Sequence, residues 1–420
     1  MEKIKTVKGT HDLFDEDSQT HDLVIKVAEL ICCSFNYQKM MTPIIEKSDV
    51  FQKTLGESSD VVSKEMYTFL DIGGESITLR PEGTAPITRA IISNSLHERI
   101  NQRFYYFGPM FRRERPQSGR LRQFHQFGIE VFNDNSFYAD AETLLLSTKI
   151  IENLGLEKNL RLEINSLGNK KSRDDYKKCL TDYFSKYKND LSKESLIRLR
   201  KNVLRILDSK ETCDQKLIMG APKIKDFLDN ESTIFYEGLK QTLNNLKISY
   251  EENQNLVRGL DYYDHTIFEF VGDTGSRQNT LIAGGRFNGL SEILGRKNLP
   301  GVGWAAGIER ISLIIERNRY LKEKKIITIF AASDNNNYMV LEVLKEVSNI
   351  KNISFHAIYN GSLKKKMTKA NKLNANSTII IGDEELINDE LIYKDLLSGN
   401  QSNVNISKIK EFILERNQVN

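Results

Sequence analysis

Phe111-Arg-Arg-Glu-Arg-Pro-Gln-Ser-Gly-Arg-Leu-Arg-Gln-Phe-His-Gln126 is the stretch on which the reading of this chain turns. From Arg112 to Arg122 it carries five arginines against Glu114 alone, a local charge of +4 in a 420-residue chain whose net charge is +3. Pro116 and Ser118-Gly119 mark a turn. The flanks, Arg103-Phe-Tyr-Tyr-Phe107 and Phe124 to Phe132, read as strands, so the whole reads as a β-hairpin. An arginine run alone reads as a solvated basic turn. Beside stackable aromatics in a strand pair, the same guanidinium groups can grip a polyphosphate in bidentate fashion while the tip reaches a longer polyanion.

Working outward, Thr78-Leu-Arg-Pro-Glu-Gly-Thr84 and Leu256-Val-Arg-Gly-Leu-Asp-Tyr-Tyr263 each set an acid and an arginine in a short, partly apolar stretch beside glycine. Buried charges are costly unless they are paired or meet a ligand. For Glu82 or Arg258 taken singly, a structural ion pair is an equal reading. Leu281-Ile-Ala-Gly-Gly-Arg-Phe-Asn-Gly289 offers glycines that let a ligand approach the backbone, or that simply make a tight turn. Gly301-Val-Gly-Trp-Ala-Ala-Gly-Ile-Glu-Arg310 runs from a glycine-rich strand into a helix. Close packing explains its glycines but leaves Arg310 unexplained.

These signatures lie in residues 1–165 and 251–320. Between them, Asp175 to Lys188, Lys193 to Asp208 and Glu231 to Leu246 carry apolar residues three and four apart among Lys and Glu, which predicts an inserted helical domain. From Lys325 onward, Ile326-Ile-Thr-Ile-Phe330, Ile353-Ser-Phe-His-Ala-Ile358 and Thr378-Ile-Ile-Ile381 alternate with helical stretches (Met339 to Val347, Leu363 to Leu373). Leu391-Ile-Tyr-Lys394 and a helix from Ser407 to Arg416 follow. This order predicts a small, mostly parallel α/β sheet. Lys322-Glu-Lys-Lys325 is the expected hinge.

Composition excludes more than it assigns. Sixty Lys+Arg nearly balance 57 Asp+Glu, so bulk charge does not decide for or against nucleic acid. With 39% hydrophobic and 28% charged residues the chain suits a soluble globular protein of two or three domains. No apolar run is long enough to span a bilayer, and residues 1–10 lack a signal-peptide core, so a cytoplasmic protein is expected. Cys32, Cys33, Cys179 and Cys213 form no disulfide framework and no Cys-x-x-Cys. A P-loop, H-E-x-x-H, G-x-S-x-G and a strand-linked G-x-G-x-x-G are all missing. The histidines (His11, His21, His97, His125, His265, His356) stand too far apart in sequence to suggest a metal site. His125 reads as a packed or hydrogen-bonded side chain.

Taken together, the segments resemble class II aminoacyl-tRNA synthetases, and within them the histidyl-tRNA synthetase family, over almost the whole chain. Lys8-Gly-Thr-His-Asp12 is similar to that family's N-terminal signature, and Thr42-Pro-Ile-Ile45 running to Phe51 to motif 1. Phe111-Arg-Arg-Glu114 with its loop is similar to motif 2, and Gly301 to Arg310 to motif 3. Arg258-Gly-Leu-Asp-Tyr-Tyr263 and Ala283-Gly-Gly-Arg286 resemble the two histidine-specific motifs. Asn202-Val-Leu-Arg-Ile-Leu-Asp-Ser-Lys210 is similar to the family's insert. The resemblance implies an α+β fold: a catalytic core with an antiparallel sheet flanked by helices (1–168 and 250–324), a helical insertion domain (169–249) and a C-terminal α/β anticodon-binding domain (325–420). It also implies a homodimer built through motif 1.

The activity it implies is ATP-dependent activation of L-histidine and transfer of the histidyl group to tRNA-His, with Mg²⁺ on the ATP phosphates and no other metal. Arg112 would hold the α-phosphate and the carboxylate, with Arg258 on the opposite side, Arg120 assisting and Arg310 on the γ-phosphate. Phe124 would stack on adenine. Around histidine, Glu82, Thr84 and Gln126 would hold the ammonium, with Glu130, Tyr262 and Tyr263 at the imidazole side. Neutral imidazole has one donor and one acceptor nitrogen, so Glu130 as acceptor and the Tyr263 hydroxyl suit it. Arg115 and Gln117 at the hairpin tip would meet the acceptor end of the tRNA. Residues 326–420 hold eleven Lys/Arg and eleven Asp/Glu, which cancel, so anticodon binding there needs a local patch. Lys364, Lys365, Lys366, Lys369 and Lys372 on one helix are the candidates. Phe287 replaces the usual tyrosine, with weaker histidine binding expected, and Asn288 replaces the usual aspartate. A non-catalytic paralogue regulating ATP phosphoribosyltransferase and a generic ATP-dependent ligase are the rival readings. The retained Arg112, Arg258 and Arg310 and the full C-terminal unit argue against them.

Overall fold

The computed structural model describes residues 3–56, 59, 61–116, 119–272, 279–296, 299–315 and 325–417. The chain divides into two compact units, Met1–Tyr320 and Leu321–Asn420. Lys322 to Lys324 of the expected hinge lie outside the described residues. Among the described residues no helix is long and apolar enough to cross a membrane.

The first unit contains β1 (Gln38–Lys39), β2 (Ile45–Lys47), β3 (Tyr67–Leu70), β4 (Ser76–Leu79), β5 (Arg103–Phe111), β6 (Gln123–Phe132), β7 (Leu160–Ser166), β8 (Glu251–Glu252), β9 (Asp264–Gly272), β10 (Thr280–Arg286) and β11 (Gly301–Gly307). Eight of these form one sheet in the order β1-β5-β6-β11-β10-β9-β7-β8. All pairings from β5 to β7 are antiparallel, and the two-residue strands β1 and β8 add parallel edges. The hairpin expected around Arg112–Arg122 is β5–β6.

Side-chain alternation along β6 sorts the two faces of the sheet. Phe127, Ile129 and Val131 join Tyr105 and Trp304 in a core that includes the helices Asp15–Ser34, Phe137–Asn153 and Asn230–Asn245. On the other face Phe132 joins Phe104, Tyr106 and Met110 against the helices Ser48–Leu55 and Thr84–Ser93. The even-numbered face of β6 thus carries Phe124, Gln126 and Glu130, and the odd-numbered face His125. A strand with both faces covered has no solvated side, so a polar residue on it must find a protein or ligand partner.

The Gly284-Gly285 pair lies inside β10 and makes no turn. A Cβ at Gly284 would run into the Gly303 carbonyl and Trp304 across the β10–β11 pairing. At the end of that strand Arg286 is fully buried against fully buried Asp140. Its Nε donates to Asp140 Oδ1 at 3.0 Å, and its two Nη groups donate to the Asp134 and Ser136 carbonyls at 2.9 and 3.0 Å. Each guanidinium face is thereby spent on structure. Arg286 binds the central sheet to the start of the Phe137–Asn153 helix.

The segment read as helical breaks at Asn202. One helix spans Lys193–Lys201, and a 3-10 turn spans Val203–Asp208. Asn202 is extended between them. Its side chain accepts from the Leu204 N–H and donates to Asp261 Oδ1 at 2.7 Å. An asparagine that caps one turn while tethered elsewhere cannot continue the preceding helix. Tyr176, Leu180, Phe184, Ile206, Ile218 and Ile224 form a separate small core, whereas Tyr236, Leu239 and Leu243 of the last helix belong to the main one.

In the second unit, β12 (Lys325–Ala331), β13 (Ile353–Ala357), β14 (Ser377–Ile381), β15 (Glu390–Asp395) and β16 (Gln401–Asn405) form a sheet in the order β13-β12-β14-β15-β16. Only β12 pairs in parallel; β14–β15 and β15–β16 are antiparallel. The expectation of a mostly parallel sheet is therefore corrected to a mixed one. Strand β16 escapes a reading of the sequence because Gln401-Ser-Asn-Val-Asn405 is an edge strand with Val404 as its buried residue.

Candidate active site

The hairpin loop is held by its backbone. Arg112 N–H donates to the Arg122 carbonyl at 2.9 Å, Arg113 N–H to Glu65 at 2.7 Å, and Arg122 N–H to Gly9 at 2.7 Å. Gly9, at φ +88°, leaves no room for a Cβ beside the Arg122 stem. The N-terminal Lys8-Gly-Thr motif therefore serves as an anchor for the arginine loop.

Arg112, Arg120, Arg258 and Arg310 all line one cavity of about 640 Å³, together with Glu82, Thr84, Phe124, Gln126, Tyr262 and Tyr263. Like charges this close require counter-ions or fixed acceptors. Arg112 donates through Nε to the Pro81 carbonyl at 2.8 Å and lies over the Phe124 ring at 5.4 Å. Glu114 pairs with Arg120 at 3.1 Å and reaches Arg112 at 3.9 Å. Arg258 is paired with Glu269, which also accepts from Thr280 Oγ1 at 2.6 Å. Arg310 donates to the carbonyls of Gly119 at 3.1 Å and Thr280 at 2.9 Å. Burial, then the neighbouring Arg120 and Arg112, lower the Arg310 pKa. For Arg258, burial is the largest single influence and works downward, but Glu269 together with Tyr263 and Tyr262 turns the net direction up. Nothing in the sequence marks Glu114 or Glu269 for a role, because an acid's counter-ion is set by the fold.

A second cluster adjoins the first. The Glu82 carboxylate accepts from the Thr84 and Ala85 N–H groups at 2.8 and 2.9 Å, at the N-terminus of the Thr84–Ser93 helix. Thr84 Oγ1 donates to Glu130 Oε1 at 2.6 Å. Glu130 Oε2 is buried without a hydrogen-bond partner among the described residues. It faces Gly303, where any Cβ would collide with it. Burial first, and the Glu82 charge in addition, hold the Glu130 carboxyl well above the usual range despite the Thr84 bond. The Tyr262 and Tyr263 rings pack at 4.6 Å. Tyr106 fills the space over Gly83 and Gly128, where a Cβ at either would strike its ring. Burial, then Glu130 and Glu82, push its phenol up. Tyr106 is legible in the sequence only as part of a strand.

Leu207, Asp208, Lys210 and Gln215 of the helical segment also line the cavity. On the reverse face of β6, His125 bonds Glu309, and His21 packs against it. Two histidines that stand far apart in sequence thus meet in space.

Two family models match the chain: histidyl-tRNA synthetase over residues 9–169 and an anticodon-binding domain over 328–416. A histidine–tRNA ligase from Rhodospirillum rubrum is 41% identical over 98% of this chain and 99% of its own length. One from Rickettsia felis is 42% identical over the same shares. The solved apo histidyl-tRNA synthetase of S. aureus superposes with a TM-score of 0.80 at 34% identity, covering 98% of this chain and 99% of that one. The chain belongs to the histidyl-tRNA synthetase family.

In this family member the residues expected to act together divide into three groups. Ten of them (Glu82, Thr84, Arg112, Arg120, Phe124, Gln126, Arg258, Tyr262, Tyr263 and Arg310) share the cavity. Glu130 stands one layer behind Thr84 and fully buried. Arg115 is exposed beside the hairpin tip, and Gln117 lies outside the described residues. In the second unit Lys364, Lys365, Lys369 and Lys372 are exposed, but Lys366 is fully buried. Its Nζ donates to the Ala331 carbonyl at 2.9 Å and to Asp334 at 2.6 Å, so it is removed from the tRNA patch. Phe287 does not itself line the cavity. It is buried against Tyr262, which does, and Phe132, at 6.0 and 5.8 Å between ring centroids.

The Glu130 environment makes a sign-definite prediction. A carboxyl whose folded pKa is raised contributes no penalty below its unfolded value, and its contribution is lost progressively as pH climbs above that value. Glu130→Gln keeps an acceptor for Thr84 and removes the titration. Urea midpoints should therefore coincide for variant and wild type near pH 4.5 and favour the variant increasingly towards pH 8. A gap that narrows with rising pH would contradict the assignment.

Proposed function

We propose that this cavity binds ATP and L-histidine side by side and performs both half-reactions of histidine–tRNA ligation. The observation that carries the reading is the convergence of Arg112, Arg120, Arg258 and Arg310, from three distant segments, onto one cavity wall. In the first step the histidine carboxylate attacks the α-phosphorus of ATP. A new P–O bond forms, the bond to the bridging oxygen breaks, and pyrophosphate leaves. In the second, a ribose hydroxyl at the tRNA 3′ end attacks the adenylate carbonyl and AMP departs. Both substrates of the first step are anions, so charge accumulates at the α-phosphorus. Guanidinium groups already fixed by Pro81, Glu269, Gly119 and Thr280 stabilise that charge without reorganising. Arg112 and Arg258 suit the α-phosphate and carboxylate. Arg310, with Arg120, suits the outer phosphates, and Phe124 offers a ring for adenine.

Mg²⁺ would enter with the triphosphate. Glu163, a carboxylate on the cavity wall, is an oxygen donor of the kind it takes. Its chemistry there is neutralisation of phosphate charge. Glu82, Thr84 and Gln126 form a natural socket for the ammonium. Glu130 Oε2, buried and without a partner among the described residues, with the Tyr263 hydroxyl, suits the two imidazole nitrogens. A site built to hydrogen-bond a ring nitrogen rejects analogues lacking it, because its own buried groups are left unpaired.

The anticodon-binding match over 328–416 supports the second unit as the tRNA-recognition part, with Lys364, Lys365, Lys369 and Lys372 as its cationic face. A second copy of the chain is the proposed partner of the small β2-β4-β3 sheet, which leaves Ile45, Phe69 and Leu70 exposed alongside Ile44 and Ile72. Apolar side chains clustered in this way mark an interaction surface.

Three outcomes are expected. In histidine-dependent pyrophosphate exchange, Glu130→Gln should raise the KM for histidine about tenfold or more, equivalent to one buried hydrogen bond removed, while that for ATP changes far less. Equal effects on both would refute the pocket assignment. Replacing Lys364, Lys365, Lys369 and Lys372 one at a time by Ala should lower the slope of log K against log salt for tRNA by roughly 0.7–0.9 for each phosphate that the helix no longer neutralises, and unchanged slopes would exclude the patch. Sedimentation at micromolar concentration should report a dimer, converted to monomer by Phe69→Glu with Leu70→Glu; a wild-type monomer would remove that partner.

A further inference from the structure

His125, on the face of β6 turned away from the cavity, meets two further side chains, of which Glu309 also touches the cavity lining. His21 comes from the Asp15–Ser34 helix, His125 from β6, and Glu309 from the first turn of the Ile308–Ile314 helix. The two imidazole rings pack edge to face with centroids 4.6 Å apart. Glu309 accepts from the His125 backbone N–H at 2.9 Å through both oxygens, and its Oε1 lies 2.8 Å from His125 Nδ1. One ligand atom from each of the three residues falls within 4.8 Å of the other two. His21 Nε2 is buried without a hydrogen-bond partner among the described residues. A backbone-held carboxylate, an imidazole bonded to it and a second imidazole with an uncommitted buried nitrogen exceed what packing alone requires.

We propose that His21, His125 and Glu309 form a binding site for a first-row divalent cation of the Zn²⁺ class, separate from the Mg²⁺ that accompanies ATP. Two imidazole nitrogens and one carboxylate are a donor set suited to Zn²⁺, with a fourth position left for water. Mg²⁺, which demands oxygen ligands, is a poor match. Protons balance within the cluster. The metal takes the His125 Nδ1 lone pair, and the imidazole proton moves to Nε2. Both imidazoles bind as neutral ligands, as metal coordination requires. The His125 N–H bonds to Glu309 remain and orient the carboxylate, as an outer-shell donor does in metal sites. Small side-chain rotations bring the three ligand atoms from within 4.8 Å to the closer spacing a tetrahedral ion requires.

The position gives the site its consequence. His125 lies between Phe124 and Gln126, and Glu309 precedes Arg310; those three neighbours line the cavity. A bound ion ties the N-terminal helix to both elements that carry them.

The test uses the full-length, tag-free protein stripped with a chelator and titrated with Co²⁺ as a spectroscopic stand-in, without ATP. One equivalent per chain should bind, with a tetrahedral d–d band and no thiolate charge-transfer band, which separates this site from the exposed Cys33 and Cys213. Zn²⁺ should compete with the Co²⁺ and raise the Tm. His21→Ala, a good helix former at a position outside the substrate cavity, should weaken Co²⁺ binding by at least about tenfold and abolish the Tm gain. Pyrophosphate exchange with Mg²⁺ present and Zn²⁺ and Co²⁺ removed should stay at wild-type level. Glu309→Gln provides a second loss-of-ligand variant. No saturable uptake, or uptake equally tight in wild type, His21→Ala and Glu309→Gln, would overturn the site. Because this readout uses no substrate, its failure leaves the ligase reading standing, and loss of ligase activity would leave the metal result standing.

Discussion

Mutual repulsion among four guanidinium groups is the constraint around which the first unit is organised. Arg112, Arg120, Arg258 and Arg310 cannot share a cavity unless each is held by something that does not move. The fold meets this with backbone carbonyls for Arg112 and Arg310 and with the carboxylates of Glu114 and Glu269 for Arg120 and Arg258. The result is a cavity whose charge is positioned before a ligand arrives. On the proposed reading a triphosphate adds its charge to groups already held in place, so they need not reorient.

The buried carboxyl groups beside the cavity obey a different rule. Glu82 and Glu130 sit on either side of Thr84, and both are buried, which raises the pKa of each. Helix N-terminal N–H groups hold Glu82, whereas Glu130 has the Thr84 hydroxyl as its hydrogen-bond donor among the described residues. That asymmetry holds the Glu82 carboxyl through two backbone N–H groups and leaves Glu130 with an oxygen that has no hydrogen-bond partner among the described residues. Gly303 makes the arrangement possible, since any side chain there would occupy the Glu130 position. The glycines of the 301–307 strand are therefore a record of the buried acid opposite as much as of tight strand packing.

Arginine placement shows how similar sequence signals divide by environment. Arg286 stands in a glycine-rich motif as suggestive as that of Arg258, but it is spent on Asp140, two carbonyls and the Asn288 side chain. Lys366 sits among four exposed lysines on one helix and turns inward instead, to Ala331 and Asp334. In both cases the motif correctly signals an unusual charge. Only the partner distinguishes a strut from a ligand-binding group.

By itself the sequence determined the α+β class, the hairpin at residues 103–132, the break into an alternating second unit, and ten residues of the cavity. The hairpin and the second unit are local patterns of strand alternation, turn residues and charge, whereas the α+β class and the cavity residues were legible through motifs that resemble a known family. Tertiary structure alone decided which acids answer which arginines, that Asn202 breaks a helix to tether Asp261, that polar β16 is a strand, that Phe287 lies behind Tyr262 and not at the cavity, and that His21 meets His125 and Glu309. Those facts depend on residues tens to hundreds of positions apart coming together. Burial, charge compensation and hydrogen-bond satisfaction are properties of the packed neighbourhood, and no window along the chain contains it.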